Sequence, residues 1–403
     1  SLQLFMLVEP GIEQLVGYDQ VGQFQQAPEH VYANFPNSHL ITRPEAEMFE
    51  RRLTQWEAEH GSAPRVLITI YVLSECLDAL APSIQSLAGQ YYDHVEVVIV
   101  SPAEVPDELR SGTRIRWFKS AETPHSALNQ VISESDADWV ISLNAGDQIA
   151  PHALLLLLEA VHTHPEWKLV YADDDRRDNK TGAFDQPFFK PDFDADYLRS
   201  LPWIGDSYLV SRPLLEELGG YAPEFAGMAE YQLQLRLLDK YGPNIFGHVP
   251  DILFHLVRQR STAHQPTEEL LALGLQALDR HLENHGLPAK SAKTGTLPGT
   301  YRVDYPLPAE VSVSIVLISR NRPETLRRTL TNLLEQTASL PAGMYCEIIV
   351  IDAASDTPET LINLQEFDGT DNDRVRVFPA DTTEHGYTRL LNIGAAQSRG
   401  EYL

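Results

Sequence analysis

Basic residues are in short supply in this chain. Lysine and arginine total 31 against 57 aspartates and glutamates, a formal net charge of −26. That balance argues against a nucleic-acid or anionic-membrane surface, both of which want Lys/Arg patches, and its plain consequence is solubility. Cysteine is scarce too. Cys76 and Cys346, both in apolar contexts, form no disulfide framework and suit a reducing compartment. Long apolar runs are also missing. The most apolar stretch, Ala153-Leu-Leu-Leu-Leu-Leu-Glu159, is far short of the roughly 20 residues that cross a bilayer. No signal-peptide pattern opens the chain. The expectation is a soluble, cytoplasmic protein with no nucleic-acid partner and at most peripheral membrane association.

What is present is an ordinary globular composition, 43% hydrophobic and 9% aromatic over 403 residues, long enough for two or three domains. Residues 1–62 are mixed: a Gln-rich stretch precedes an amphipathic helical pattern from Pro44 to about Glu59, with Met48, Leu53 and Trp56 near one face. From Arg65 the texture changes. Val66-Leu-Ile-Thr-Ile-Tyr-Val-Leu73 is a near-continuous apolar run, as in a strand buried on both faces. Strands at Val95–Val100, Arg114–Phe118 and Trp139–Leu143 alternate with helices at Leu77–Gly89 and Ser126–Ser135. That alternation predicts an α/β fold with a mostly parallel sheet and helices on both faces. Further helices are expected at Pro151–Thr163, Arg212–Leu218 and Ala229–Lys240, with strands at Lys168–Tyr171 and near Ile245–Val249. Residues 174–208, rich in Asp, Phe and Pro, are expected to be mostly loop.

The layout then repeats. "VLITIYVLSECLDALAPSIQSLAGQ" (Val66–Gln90) has the plan of "VSVSIVLISRNRPETLRRTLTNLLEQ" (Val311–Gln336), and "SALNQVISESDADWV" matches "RLLNIGAAQSRGEYL", pairing Asn129 with Asn392. The second copy is expected to reach only its fourth strand, short of a counterpart to the turn Asn144-Ala-Gly-Asp147. The domains expected are a helical extension over 1–62, a first copy over 63–265, a helical connector over 266–308, and the N-terminal half of a second copy over 309–403.

Several stretches in this order carry a resemblance: "SIVLISRNRPETLRRTLTNLLEQT", "CEIIVIDAASD", "NIGAAQSRGEYL", "LVYADDDRRDNKTG", "FFKPDFDADYL", "LGGYAPEF" and "HLENHGLPAKSAKTGTLPGTYRVDYPL". The chain resembles the family 2, GT-A fold (Rossmann-like) glycosyltransferases, in particular the tandem bacterial enzymes of O-antigen and surface-glycan assembly. The resemblance implies inverting transfer of a sugar from a nucleoside-diphosphate donor to an acceptor hydroxyl. The acceptor would be a surface glycan, a lipid-linked oligosaccharide or a protein such as flagellin. Such chemistry needs a divalent cation, Mg²⁺ or Mn²⁺, beside the leaving diphosphate. It also needs a carboxylate to take the acceptor's proton.

Mapped on this sequence, the resemblance places the acidic metal motif at Asn144-Ala-Gly-Asp147, where Asp147 alone is acidic. A purely structural part for Asp147, as helix cap or turn, is the alternative. Ser101 stands at the end of the second strand, where the family has an Asp; the second copy keeps Asp352 there as a nucleoside contact. Ser101, Asn144 and Asp147 are expected on the donor, Ser101 by a hydrogen bond to base or ribose, and Asp173 and Asp175 on the acceptor side. Glu230, opening a helix after "GGY", is the expected base, with a helix-dipole role as its alternative. "VPDILFHLVRQ" offers His255 as metal ligand and Arg258 (or Arg260) for the diphosphate. His125, His162 and His164 fall in no ligand spacing and are assigned to the surface. Because Asn144, Gly146 and Ser101 depart from the pattern, a second possibility stands: a non-catalytic first copy that binds glycan or nucleotide, or scaffolds the second.

Overall fold

The computed structural model describes residues 4–9, 12–16, 43–110, 115–178, 181–257, 267–287, 292–305, 309–369, 374–380 and 386–403. The chain divides into two compact units, Ser1–Asp304 and Tyr305–Leu403.

The first unit opens with an antiparallel pair, β1 (Leu4–Glu9) and β2 (Ile12–Val16). The N-terminal segment is therefore not purely helical as the sequence suggested; its helix, α1, spans Arg43–His60. The sheet is then built from β3 (Val66–Tyr71), β4 (Val95–Ser101), β5 (Ile115–Lys119), β6 (Trp139–Asn144), β7 (Gln148–Ile149), β8 (Leu169–Arg177), β9 (Phe184–Phe188), β10 (Tyr208–Ser211) and β11 (Phe246–Val257). Helices α2 (Leu80–Ala88), α3 (Pro124–Glu134), α4 (Ala153–Thr163), α5 (Ala195–Ser200), α6 (Arg212–Glu217), α7 (Ala229–Tyr241) and α8 (Glu268–Asn284) accompany them. The strand order is β5-β4-β3-β6-β10-β8-β11-β7, with β9 on β8. β5, β4, β3 and β6 are mutually parallel, β8 and β11 are parallel, and β10 runs antiparallel to both of its neighbours.

The apolar run at 66–71 behaves as its composition demands. Leu67 joins the core on one face of the sheet, while Val66, Ile68 and Ile70 join the core on the other. Each such fully buried side chain contributes about 1.5–3 kcal/mol. Two expectations are refined. Residues 174–208 are mostly outside helix and strand as expected, but they also hold the end of β8, β9 and α5, and β8 and β11 each run well past the stretches read from the sequence. The connector also packs into the first unit: Ala277, Leu278 and Leu282 of α8 share a core with Ala292 and Tyr301 of the hairpin β12 (Ala292–Thr294) and β13 (Tyr301–Val303).

The second unit contains β14 (Val311–Ser319), α9 (Pro323–Thr337), β15 (Met344–Ala353), α10 (Pro358–Phe367), β16 (Val375–Ala380) and α11 (Tyr387–Gln397). β14, β15 and β16 are parallel, and Tyr402 bridges Val313 on the opposite side of β14. This repeats the order β5-β4-β3-β6 of the first unit. An acid–arginine pair recurs as well: Glu96 with Arg116 in one unit, and the fully buried Glu347 with Arg376, at 2.7 Å, in the other.

Candidate active site

The parallel strands β3, β4, β5 and β6 end at one edge of the first sheet, and the turn after β6 stands on that edge. Its Asp147 is 5% exposed. Oδ1 accepts from the Val257 amide at 2.9 Å and Oδ2 from the Asn144 amide at 3.1 Å. Burial raises the Asp147 pKa, opposed by these amides and by the charge of Arg176. Asp147 thus clips its own turn to the end of β11. Gly146 has φ +103°, and a Cβ there would lie 2.4 Å from Val257 Cγ2. The acid that the family pattern would put here is excluded by backbone and neighbour together. Asn144 is exposed at the end of β6.

β11 brings in His255, opposite Gln148 of β7 and Asp175 of β8. His255 Nδ1 lies 2.7 Å from Asp175 Oδ1, and the Phe184 ring packs 4.5 Å away. A ligating imidazole is commonly oriented by a carboxylate on its other nitrogen, and Asp175 has that geometry. Asp173 and Asp175 lie within β8, not past it, and both are buried. Asp173 Oδ1 accepts from the Lys190 amide and pairs with His248 Nε2, each at 2.9 Å. Lys190 Nζ in turn reaches Asp174 Oδ2 at 2.8 Å. Asp173 therefore fixes the segment after β9, and the open acceptor contact expected of it is not what the fold presents.

Ser101 is fully buried, its Oγ accepting from the Ala103 amide at 3.1 Å. In the second unit Asp352 ends β15 in a similar local turn, accepting from the Ser355 amide at 3.2 Å. Arg258 and Arg260 lie outside the described residues.

Glu230 occupies the first turn of α7, where a negative charge meets the helix dipole. Its Oε1 lies 2.9 Å from His125 Nε2. His125 is 8% exposed, so its assignment to the surface is wrong: α3 carries it inward against Tyr221, with rings 5.5 Å apart. Its Nδ1 is buried with no hydrogen-bond partner, which assigns the ring proton to Nε2, donating to Glu230. The loop before α7 is held by Asn129, which accepts from the Tyr221 amide and donates to the Tyr221 carbonyl, both at 2.8 Å.

Asp206, just before β10, links these parts. Solvent reaches it, yet protein crowds around it. Burial raises its pKa to about 7, helped by the charges of Glu230 and Asp147 and opposed by His125 and Arg176. Asp147 and Glu230 thus lie close enough to Asp206 for their charges to act on it, with Asp175 and His255 on the adjoining strands.

Among the described residues, the His, Cys, Asp and Glu atoms that converge closely enough to hold a metal are those of Asp239, His281 and His285. That group excludes both Asp147 and His255.

Comparison with known proteins sets this geometry in a family. The Glycosyl transferase family 2 model matches residues 66–197 and 314–403, more than half of the chain and one segment in each unit. The chain belongs to glycosyl transferase family 2. It is 30% identical over 347 residues to the O-antigen biosynthesis protein RfbC of Myxococcus xanthus, covering 82% of this chain and 25% of that protein. It is 26% identical over 365 residues to the uncharacterized protein y4gI of Sinorhizobium fredii (strain NBRC 101917 / NGR234), covering 87% and 39%. The chain therefore spans well under half the length of these relatives. Similar solved structures are S. aureus TarS 1-349 with UDP-GlcNAc (TM-score 0.42, 12% identity, 55% of this chain and 72% of that one) and GalNAc-T7 with UDP, GalNAc and Mn²⁺ (0.43, 12%, 55% and 48%).

In this member of glycosyl transferase family 2, sequence reasoning missed Asp206 and misplaced His125. Asp206 stands alone in a Pro/Gly-containing stretch with no spacing to mark it. Among the described residues no helix is long and apolar enough to cross a membrane.

Proposed function

We propose that the first unit transfers a sugar from a nucleoside-diphosphate donor to an acceptor hydroxyl with inversion at the anomeric carbon. The observation that carries this reading is Glu230, held by His125 beside Asp206 and Asp147 at the sheet edge. His125 donates to Oε1 and orients the carboxylate, leaving Oε2 to take the acceptor's proton. The acceptor oxygen then bonds to the anomeric carbon, and the bond from that carbon to the diphosphate breaks with its electron pair on the leaving group. Asp206, raised toward neutrality, keeps part of the local negative charge protonated when no cation balances it.

The donor set fits a divalent cation. Asp147 and Asp206 act on one another electrostatically and are only partly offset, by two backbone amides on Asp147 and by the charge of Arg176, while His255, oriented by Asp175, presents Nε2 on a neighbouring strand. These residues would hold it with Asn144 and phosphate oxygens of the donor. When bound, the cation supplies charge neutralisation for the departing diphosphate. In the second unit Asp352 is proposed to contact the nucleoside. Arg258 is proposed for the diphosphate. The acceptor is proposed to be a growing bacterial surface glycan, a reading supported by the name of RfbC. The free thiols of Cys76 and Cys346 favour a cytoplasmic setting.

The closed position at Gly146 favours a second reading, a first unit that binds or scaffolds without catalysis. Titration calorimetry with nucleotide sugars and Mn²⁺, beside an assay of nucleoside-diphosphate release, separates them. Saturable, cation-dependent binding together with nucleoside-diphosphate release supports transfer; binding without release, or absence of heat at millimolar donor, supports the second reading.

A further inference from the structure

Away from the sheet edge, α7 and α8 pack side by side and build a second group of ligand atoms. Asp239 lies nine residues along α7 from Glu230, about 13 Å at 1.5 Å per residue, so this group is separate from the proposed reaction centre. His281, in the last turn of α8, and His285, its C-cap, stand four apart and turn to the same side. His281 Nδ1 bonds Asp239 Oδ1, and His285 Nε2 lies 3.1 Å from the same oxygen. The two imidazole rings meet edge-on, with centroids 4.7 Å apart. All three ligand atoms lie within 4.8 Å of one another. Asn284 Nδ2 donates to the other oxygen, Asp239 Oδ2, at 2.8 Å, leaving Oδ1 turned toward the histidines.

We propose that Asp239, His281 and His285 form a zinc site that staples α7 to α8. Two imidazoles and one carboxylate are a donor set for Zn²⁺, whereas Mg²⁺ takes oxygen ligands and keeps its waters. The His285 side chain is 44% exposed, so solvent reaches the site and a water completes the tetrahedron. The Asp239 charge and the nearby Glu283 favour a cation; Arg236 and Arg280, lining the same pocket, oppose it.

Arg199 tunes the site. Its Nε donates to His281 Nε2 at 3.0 Å, which keeps the His281 proton on Nδ1, facing Asp239. Zinc on Nδ1 moves that proton to Nε2, where it meets a donor instead of the acceptor that a ligating imidazole prefers. Arg199 must then turn away, toward Asp196, which its Nη1 already contacts at 2.7 Å. Replacing Arg199 with glutamine supplies an acceptor carbonyl.

The test uses the untagged full chain, stripped by a chelator and titrated with ZnCl₂ against a chromophoric competitor, with the melting temperature followed in parallel. One equivalent of zinc binds and raises the melting temperature, and MgCl₂ at the same concentration does not. His285→Ala loses the zinc-dependent rise but melts like wild type without metal, its side chain being half in solvent. Arg199→Gln binds zinc about tenfold more tightly. Absence of zinc binding, or binding equal in wild type and His285→Ala, overturns the site. An unchanged or weaker affinity in Arg199→Gln overturns the tautomer argument.

Discussion

Replacing Gly146 with aspartate restores, on paper, an acid to the turn that ends β6. The structure predicts that it wrecks the turn instead. At φ +103° any residue with a Cβ is strained by about 1–3 kcal/mol. The Cβ would also sit 2.4 Å from Val257 Cγ2, an overlap that core overpacking values put at about 1–3 kcal/mol. Gly146→Ala isolates the two effects and should lower unfolding stability by roughly 2–6 kcal/mol. Val257→Ala removes the offending methyl groups but not the φ strain. In Gly146→Ala/Val257→Ala the overlap is relieved, giving a favourable coupling of about 1–3 kcal/mol. Urea denaturation of the four variants measures this cycle. The backbone amide of Val257 that holds Asp147 is kept in all four. A Gly146→Asp protein as stable as wild type and faster in transfer would refute the reasoning, because the turn would then tolerate a second acid.

Other outcomes follow from the same site. His125→Ala frees the Glu230 carboxylate to swing and should lower turnover by about 10²-fold with donor KM unchanged, measured by nucleoside-diphosphate release. Asn129→Ala strands the amide and carbonyl of Tyr221, each worth about 1–3 kcal/mol, and should lower the urea midpoint accordingly. Asp206 gives a pH signature. Its folded pKa of about 7 stands above the ordinary 3.8, so the folded state binds more protons between those values. Stability therefore falls as pH rises from about 4 to about 7 and is flat above. In Asp206→Asn this segment of the stability–pH curve should level out, and Mn²⁺ should reduce it in wild type.

Much of this was legible in the sequence. The short apolar run Val66–Tyr71 read as a strand covered on both faces, and the repeated strand–turn–helix plan linked the elements of the two units. Glu230 and Asp147 were singled out because the family resemblance puts its acidic motifs at those two places, a helix start and the turn after a strand. Long-range pairings were not legible. Nothing near Asp147 in the chain announces the Val257 amide 110 positions away that occupies Oδ1. His125 looks like a surface residue of an amphipathic helix until α7 is packed against it. Asp173 and Asp175 looked like a solvated turn or an acceptor contact because β8 extends on pairing with β11 beyond its apolar stretch, carrying acids into the interior where Lys190, His248 and His255 match them.

The central claim is that Glu230 takes the acceptor's proton. The most direct measurement compares wild type and Glu230→Gln for donor binding by calorimetry and for sugar transfer by nucleoside-diphosphate release. The account predicts that Glu230→Gln binds the nucleotide sugar as wild type does and loses transfer by about 10²- to 10⁴-fold. A Glu230→Gln protein that transfers at the wild-type rate would contradict it.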